Sequence, residues 1–194
     1  MYICNQHFEH NKCTLKTRKM DQYDLEKLKA VMLYILSKCD GIDKYRFSKI
    51  FYFANREHLV RFGREIVNAD LKAFEFGPVP DIYYSTFQGS SKYIPEDIKT
   101  FLETSIKWID DSIIIATEEP NINFLSKSDM ECLDNAIREF KDCGFNKLLR
   151  ISHDSAWESA RKNGDKALMD SLEIAKAGGA SEDMIEYIGL NLFF

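Results

Sequence analysis

Hydrophobic positions between residues 21 and 64 repeat with the period of an α-helix in two successive stretches. The first stretch has one apolar stripe and ends at Asp40-Gly41. The second begins near Lys44, ends near Gly63, and carries two apolar stripes. These are Phe47, Ile50, Phe51, Ala54 and His58 on one face and Tyr45, Tyr52 and Leu59 on another. Because a helix that is apolar on two faces is packed on more than one side, we predict that this aromatic-rich helix is central.

Later segments predict short strands among further helices. Residues 69–76 alternate as a strand does, and Gly77-Pro78-Val79-Pro80 predicts its end, since proline donates no backbone hydrogen bond. Residues 107–109 and 113–117 predict a hairpin that can pair with 69–76. Helices are predicted after residues 80, 95 and 126, with Ser152 capping a helix whose first turn holds His153, and over 166–177. The predicted fold is α+β and predominantly α-helical, with a small antiparallel sheet of about two or three strands.

Composition favours one compact unit. With 194 residues, 45% of them hydrophobic, the chain can form one sizeable core, so we expect an N-terminal extension over 1–20 and one domain over 21–194. A net charge of -5 argues against a general phosphate-binding surface. No apolar run is long enough to cross a bilayer, and the N-terminus lacks the apolar core of a signal peptide. We therefore expect a soluble, cytoplasmic protein.

The N-terminal extension contains four residue types that bind metals, each separated by two residues: Cys4, His7, His10 and Cys13. On one continuous helix these side chains rotate progressively around the axis, so they reach a tetrahedral ion only if the chain turns between the pairs. A zinc-binding module or a metal-dependent enzyme is therefore one alternative, and a simply packed or flexible extension is the other. No cofactor is expected.

Catalytic motifs are missing from the sequence. It has no phosphate-binding loop, dinucleotide-binding glycine pattern, nucleophile elbow or His-Glu-x-x-His motif. His58 and His153, with Glu57, Asp154 or Cys143, would supply acid, base or nucleophile only if the fold brought them together. Isolated histidines of this kind are usually structural, so we expect a protein that is not an enzyme.

Several short motifs occur in an order that resembles the SocA-like antitoxins, also called the Panacea domain. They are Tyr52-Phe53-Ala54, Glu57-His58, Gly63, Ala73 in a strand, Gly77-Pro78-Val79, Leu125-Ser126, Leu149, Ser152-His153 and Ala156-Trp157. The resemblance covers about residues 25–161, with Asn55 where the family often has aspartate, and it leaves out the first 20 residues.

This resemblance implies a mostly helical domain with a small β element, found in bacterial and prophage-associated operons. Such a protein neutralises a toxin encoded next to it by binding it, without catalysis, and some members also present the toxin to a protease. It also implies structural roles for the motif residues His58, Gly63, Gly77, Pro78, Val79, His153 and Trp157. It does not identify the toxin, because such domains accompany many unrelated toxins.

Aromatic side chains beside cations are the candidate anchors for a protein partner. The first set is Arg46, Lys49, Phe53 and Arg56, on the edge of the central helix, and the second is Tyr83 and Tyr84. The alternative is that the aromatics are core and the cations a solvated face. A further alternative function is a DNA-binding regulator of its own operon that uses the basic residues between 44 and 64, although the acidic net charge makes nucleic acid an unfavourable partner.

Overall fold

The structure is a computed structural model that describes residues 20–90 and 94–191. Its helices and strands are α1 (Gln22–Cys39), β1 (Ile42–Asp43), α2 (Lys44–Phe62), β2 (Leu71–Phe74), β3 (Gly77–Pro80), α3 (Asp81–Phe87), α4 (Glu96–Glu103), β4 (Ile106–Ile109), β5 (Ile113–Ala116), a 3₁₀ turn (Ile122–Phe124), α5 (Lys127–Phe140), α6 (Phe145–Ser152), α7 (Ser155–Arg161), α8 (Ser171–Ala177) and α9 (Glu182–Asn191). The prediction of a mostly helical α+β fold is confirmed.

Helix α2 lies at the centre of the fold, as its two apolar faces predict. Asp43 caps its first turn by accepting a hydrogen bond from the backbone N–H of Arg46 at 2.9 Å. Phe47 and Phe51 are fully buried, and α2 contacts α1, α3, α5, α6 and α8 as well as β1 and β3. Every element discussed below is therefore positioned against this one helix.

The segment from residue 77 to 80 was predicted to end a strand, and this prediction is wrong. It forms β3, which pairs antiparallel with β2 so that Phe74 lies opposite Gly77 and Ala73 opposite Pro78. Ala73 instead exchanges backbone hydrogen bonds with residues 166 and 167 on the far side of β2. Pro78 therefore sits at a position whose missing N–H faces away from β2, and the antiparallel ladder tolerates it.

The second hairpin forms where it was predicted but pairs elsewhere. β4 and β5 are antiparallel, and β5 continues the sheet with β1, which places Ile42 opposite Ile114. Pairing with 69–76 was the wrong expectation, because the free edge of β2 is occupied by residues 166–169. The described residues thus contain a three-stranded sheet, in the order β1-β5-β4, and a separate two-stranded hairpin.

The C-terminal third differs from prediction in two helix starts. Ser152 ends α6 instead of capping the next helix, and Asp154 caps α7 by accepting from the backbone N–H of Trp157 at 3.2 Å. His153 thus lies between the two helices. The predicted helix over 166–177 begins only at Ser171, because the preceding residues pair with β2.

Buried hydrophobic side chains from α1 through α9 form one contiguous core. None of the helices in residues 20–90 and 94–191 combines the length and the apolar character that crossing a membrane requires. The extension over 1–20 and its Cys/His set fall outside the described residues, apart from Met20.

Candidate functional site

Four side chains hold the β2–β3 hairpin by donating hydrogen bonds to its backbone. Arg161 Nη1 lies 3.2 Å from the carbonyl oxygen of Ala73, and Trp157 Nε1 lies 2.9 Å from that of Phe74. The His153 ring bonds the backbone of Glu75, and Lys49 Nζ lies 2.9 Å from the carbonyl oxygen of Pro78. We call these four residues, Lys49, His153, Trp157 and Arg161, the hairpin clamp. They fix the hairpin against α2 and α7, including the turn between its strands.

Lys49 is unusual among the clamp residues because its ammonium group is fully buried. It makes no ion pair with any described residue, and its Nζ lies 4.8 Å from the centroid of the Tyr45 ring. Burial penalises the charged form and lowers the pKa of Lys49 to about 7. The hairpin is thus held by an amine whose charged form is disfavoured by burial.

Gly77 makes this arrangement sterically possible. Its φ is +99°, a backbone conformation that residues other than glycine rarely adopt. A Cβ atom at this position would lie 2.6 Å from Ser152 Oγ and 2.8 Å from Lys49 Nζ. The glycine of the Gly-Pro-Val motif is therefore required both for the turn and for the space that Lys49 occupies.

His153 and Trp157 stack face to face, with ring centroids 3.6 Å apart and planes 9° apart. Burial, together with the positive charge of Lys49, lowers the pKa of His153. Its Nε2 is buried and has no hydrogen-bond partner among the described residues. Residues of the Ser-His and Ala-Trp motifs thus stack on each other and bond to the backbone of the hairpin.

An aromatic groove of about 410 Å³ opens beside the clamped hairpin, between the start of α2, the hairpin, α3 and the start of α6. Its apolar lining includes Tyr45, Phe74, Phe76, Val79, Tyr84 and Phe145. Phe76 is 53% exposed and Phe145 is 48% exposed, and their ring centroids are 6.1 Å apart. Two large aromatic side chains therefore line one concave apolar surface and remain about half exposed to solvent.

Charges at one end of the aromatic groove come from the first residues of α2. Lys44 is exposed and makes no ion pair with any described residue. Arg46 pairs with Asp43 at 2.5 Å and donates from Nε to the carbonyl oxygen of Cys143 at 3.2 Å. Lys166 lies with its Nζ 5.1 Å from the centroid of the Phe74 ring. Among the charged residues that line the groove, Asp43 and Arg46 thus pair with each other and Lys44 is left as a positive charge.

A separate polar network joins α2 to α7. The carboxylate of Asp154 accepts from the hydroxyl of Tyr52 at 2.6 Å and from Arg56 Nη1 at 2.7 Å. The guanidinium of Arg56 also lies 4.8 Å from the centroid of the Phe53 ring. Arg56 therefore acts as an internal connection between helices.

A third network fixes the end of α2 against the start of α5. His58 is fully buried, donating from Nδ1 to the carbonyl oxygen of Arg64 at 2.8 Å, and its Nε2 lies 3.2 Å from Asp129 Oδ1. Burial opposes ionisation of Asp129, but hydrogen bonds from His58, the Ser126 backbone and Lys27 outweigh it and hold the pKa of Asp129 below its usual value. His58 thus joins the end of α2 to the start of α5 through these contacts.

Of the six residues predicted to bind a partner, two line the aromatic groove, Arg46 and Tyr84. Lys49, Phe53 and Tyr83 are buried, so the expectation that Lys49 lies on a solvated edge is wrong. The helix carries neighbours around its whole circumference, and α5 covers Phe53 by stacking Phe140 on it at 4.2 Å. Arg56 is held by Asp154, as described above.

The candidate catalytic side chains are held in different networks. His58 contacts Arg64, Ser128 and Asp129, whereas His153 contacts Trp157 and the hairpin. Glu57 pairs with Arg61, and Cys143 donates to the carbonyl oxygen of Glu139. The described residues contain no group of three or more His, Cys, Asp or Glu side chains that could hold a metal ion. The Cys4, His7, His10 and Cys13 set lies outside them, so zinc binding stays a hypothesis that elemental analysis of untagged protein would test.

The DNA-binding alternative depends on unpaired cations along α2. Arg56, Arg61 and Arg64 each pair with a carboxylate, those of Asp154, Glu57 and Asp129 respectively. The buried Lys49 adds nothing to the surface. These ion pairs weaken the case for a phosphate-binding stripe on this helix.

Residues 47–158 match the family model described as "Antitoxin SocA-like, Panacea domain". The match covers more than half of the chain, and the chain therefore belongs to this family. No curated protein and no solved structure matches it. The matched segment contains the hairpin, the aromatic residues 76 and 145, and three of the four clamp residues.

Sequence reasoning missed Phe76 and Phe145 as candidate contact residues. Both stand next to a glycine at a change of direction, Phe76 before Gly77 in the hairpin turn and Phe145 after Gly144 at the start of α6. A large aromatic residue next to a turn glycine was the signal that could have identified them, because turns lie on the surface.

Proposed function

We propose that this protein is an antitoxin that neutralises a cognate toxin by direct, stoichiometric contact and catalyses no reaction. Membership of the SocA-like antitoxin family supports the class of function. The observation that carries the proposal is the aromatic groove, where Phe76 and Phe145 are about half exposed beside an apolar cavity. Aromatic side chains, phenylalanine among them, are enriched at protein–protein interfaces.

The proposal places the toxin gene next to the gene for this chain and the complex in the cytoplasm. Co-expression of the two proteins in a bacterial host tests it directly. We expect growth to be restored, and the toxin to co-purify with this chain in a fixed molar ratio. Absence of both rescue and co-purification would contradict the proposal.

Stoichiometry separates binding from catalysis. When purified antitoxin is titrated into a fixed amount of toxin, stoichiometric neutralisation ends at a fixed ratio of the two proteins. Protection by a small fraction of an equivalent would instead indicate turnover and would contradict a non-catalytic role. Delivery to a protease would appear as a faster loss of toxin after translation is stopped, measured with and without this chain.

A matched pair of double variants tests whether the aromatic groove is the contact surface. Phe76→Ala with Phe145→Ala removes the two exposed aromatics of the groove, and we expect loss of toxin capture with little loss of stability. Ile109→Ala with Ile122→Ala is the control, because these side chains are similarly exposed, at 50% and 54%, but lie outside the groove. Equal capture by both double variants would show that the contact lies elsewhere.

A further inference from the structure

The clamped hairpin limits how a partner can bind in the aromatic groove. An added strand needs unpaired backbone N–H and C=O groups along the edge of a sheet. On β3 the two prolines, Pro78 and Pro80, provide no N–H, and the carbonyl oxygen of Pro78 already accepts from Lys49. The outer edge of β2 is taken by residues 166–169. A partner at this hairpin therefore binds through its side chains.

The interior of the groove selects apolar side chains. Phe74 and Tyr84 pack against each other with ring centroids 5.0 Å apart, and Tyr45 packs on Phe145 at 4.7 Å. The volume of about 410 Å³ lies within the range of roughly 300–1,000 Å³ that is usual for ligand pockets. An aromatic or leucine side chain inserted here would be surrounded by rings.

The charge at the border of the groove determines which group of the partner is favoured next to that apolar side chain. The chain as a whole has a net charge of -5, yet Lys44 at the groove border is exposed, Arg46 and Asp43 there pair with each other, and Lys166 lies over the ring of Phe74. Asp43 does not offset Lys44, because its carboxylate already accepts from the backbone and the guanidinium of Arg46. An exposed, unpaired ammonium next to an apolar cavity attracts a carboxylate.

We infer that the aromatic groove binds an exposed toxin segment in which a large apolar side chain stands next to an aspartate or glutamate. The apolar side chain enters the groove beside the contacting rings of Phe76 and Phe145, and the carboxylate pairs with Lys44. This inference rests on the proposed function, since it names the chemistry of the toxin surface that the antitoxin contacts.

A library of random dodecapeptides displayed on phage and selected on the purified full chain tests this inference without the toxin. We expect enriched peptides to combine Phe, Trp, Tyr or Leu with Asp or Glu within two positions. Fluorescence anisotropy with the synthesised peptides then measures affinity. Phe145→Ala should weaken binding at least about 30-fold, as loss of a central aromatic anchor does. Lys44→Glu should weaken it about fivefold or more at low salt, and less in 0.5 M NaCl.

Lys107→Glu is the matched control, because Lys107 is also exposed and free of ion pairs among the described residues but lies on β4. It should leave peptide affinity unchanged. Failure to enrich any peptide, enrichment of peptides without a carboxylate, or equal binding by Phe145→Ala would each overturn the inference. So would sedimentation that shows a dimer of this chain dissociated by Phe145→Ala, since a second copy would then occupy the groove.

The toxin itself separates this inference from the proposed function. A toxin that is neutralised and co-purifies equally with the wild type and with Lys44→Glu and Phe145→Ala would refute the groove chemistry and leave the antitoxin function intact. A toxin that neither binds nor is neutralised would refute the antitoxin function whatever the peptides show.

Discussion

Replacing Lys49 with methionine changes the stability of the protein in a way that depends on pH. The substitution keeps an unbranched side chain of similar length in the same space and removes a buried ammonium group. It also leaves the carbonyl oxygen of Pro78 without its donor, which costs roughly 1–3 kcal/mol, and removes the contact with the Tyr45 ring. The balance between these effects sets the sign of the change.

The size of the charge effect follows from the pKa of Lys49, which is 10.5 in the unfolded chain and about 7 in the folded one. Between these values the unfolded state binds more protons, so the free energy of unfolding rises with pH and falls as pH drops towards 7. At about 1.36 kcal/mol for each pH unit, burying the charge costs on the order of 4 kcal/mol at pH 7. After the lost hydrogen bond is subtracted, we expect Lys49→Met to be about 2 kcal/mol more stable than wild type at pH 7.

Urea unfolding followed by circular dichroism, at pH 6, 7, 8 and 9, measures this difference. Groups that titrate in both proteins cancel, so the advantage of Lys49→Met should shrink steadily above pH 7 and vanish near pH 9. Lys107→Met, at an exposed position, is the control and should show no such slope. A difference that does not change with pH, or a variant less stable than wild type at pH 7 by several kcal/mol, would refute the reasoning.

Three further substitutions test the hairpin turn and two buried carboxyl groups by urea unfolding. Gly77→Ala should cost more than the roughly 1–2 kcal/mol of a positive φ alone, whereas Gly89→Ala, with φ +60° and open space, should cost only that. Burial raises the pKa of Glu65 to about 7, so the stability of the wild type relative to Glu65→Gln should fall between about pH 4.5 and pH 7. Asp129→Asn should cost roughly 3–5 kcal/mol at pH 7, because it leaves buried donors without their carboxylate; a cost below 1 kcal/mol would contradict this.

Helical periodicity was sufficient to predict the central part of the fold. The double stripe of α2 placed it in the interior, and Asp43 and Gly63 marked its ends as the structure has them. The fold class followed, because a central helix with few strand signals leaves an α+β arrangement. These features are local, so the sequence carries them directly.

The pairing of the strands and the exposure of individual side chains could not be predicted from periodicity. Whether Pro78 ends a strand or faces away from its partner depends on register, and register was set here by residues 166–169, almost 90 positions later. Lys49 was predicted on a solvated edge because lysine is seldom buried, and only the hairpin that folds over it reverses that expectation. Long-range contacts of this kind leave no periodic signal.

The family motifs and the border of the groove are formed by different residues. Family membership therefore does not describe the charged residues at the border. His153 and Trp157 support the hairpin, Gly77 leaves room for Lys49, and none of these side chains lines the groove. Lys44 and Arg46 stand before the segment that the family model matches. If the groove is the contact surface, relatives can keep the same supported hairpin while changing the charges beside it. The motifs then identify an antitoxin scaffold, and the residues at the border select the toxin.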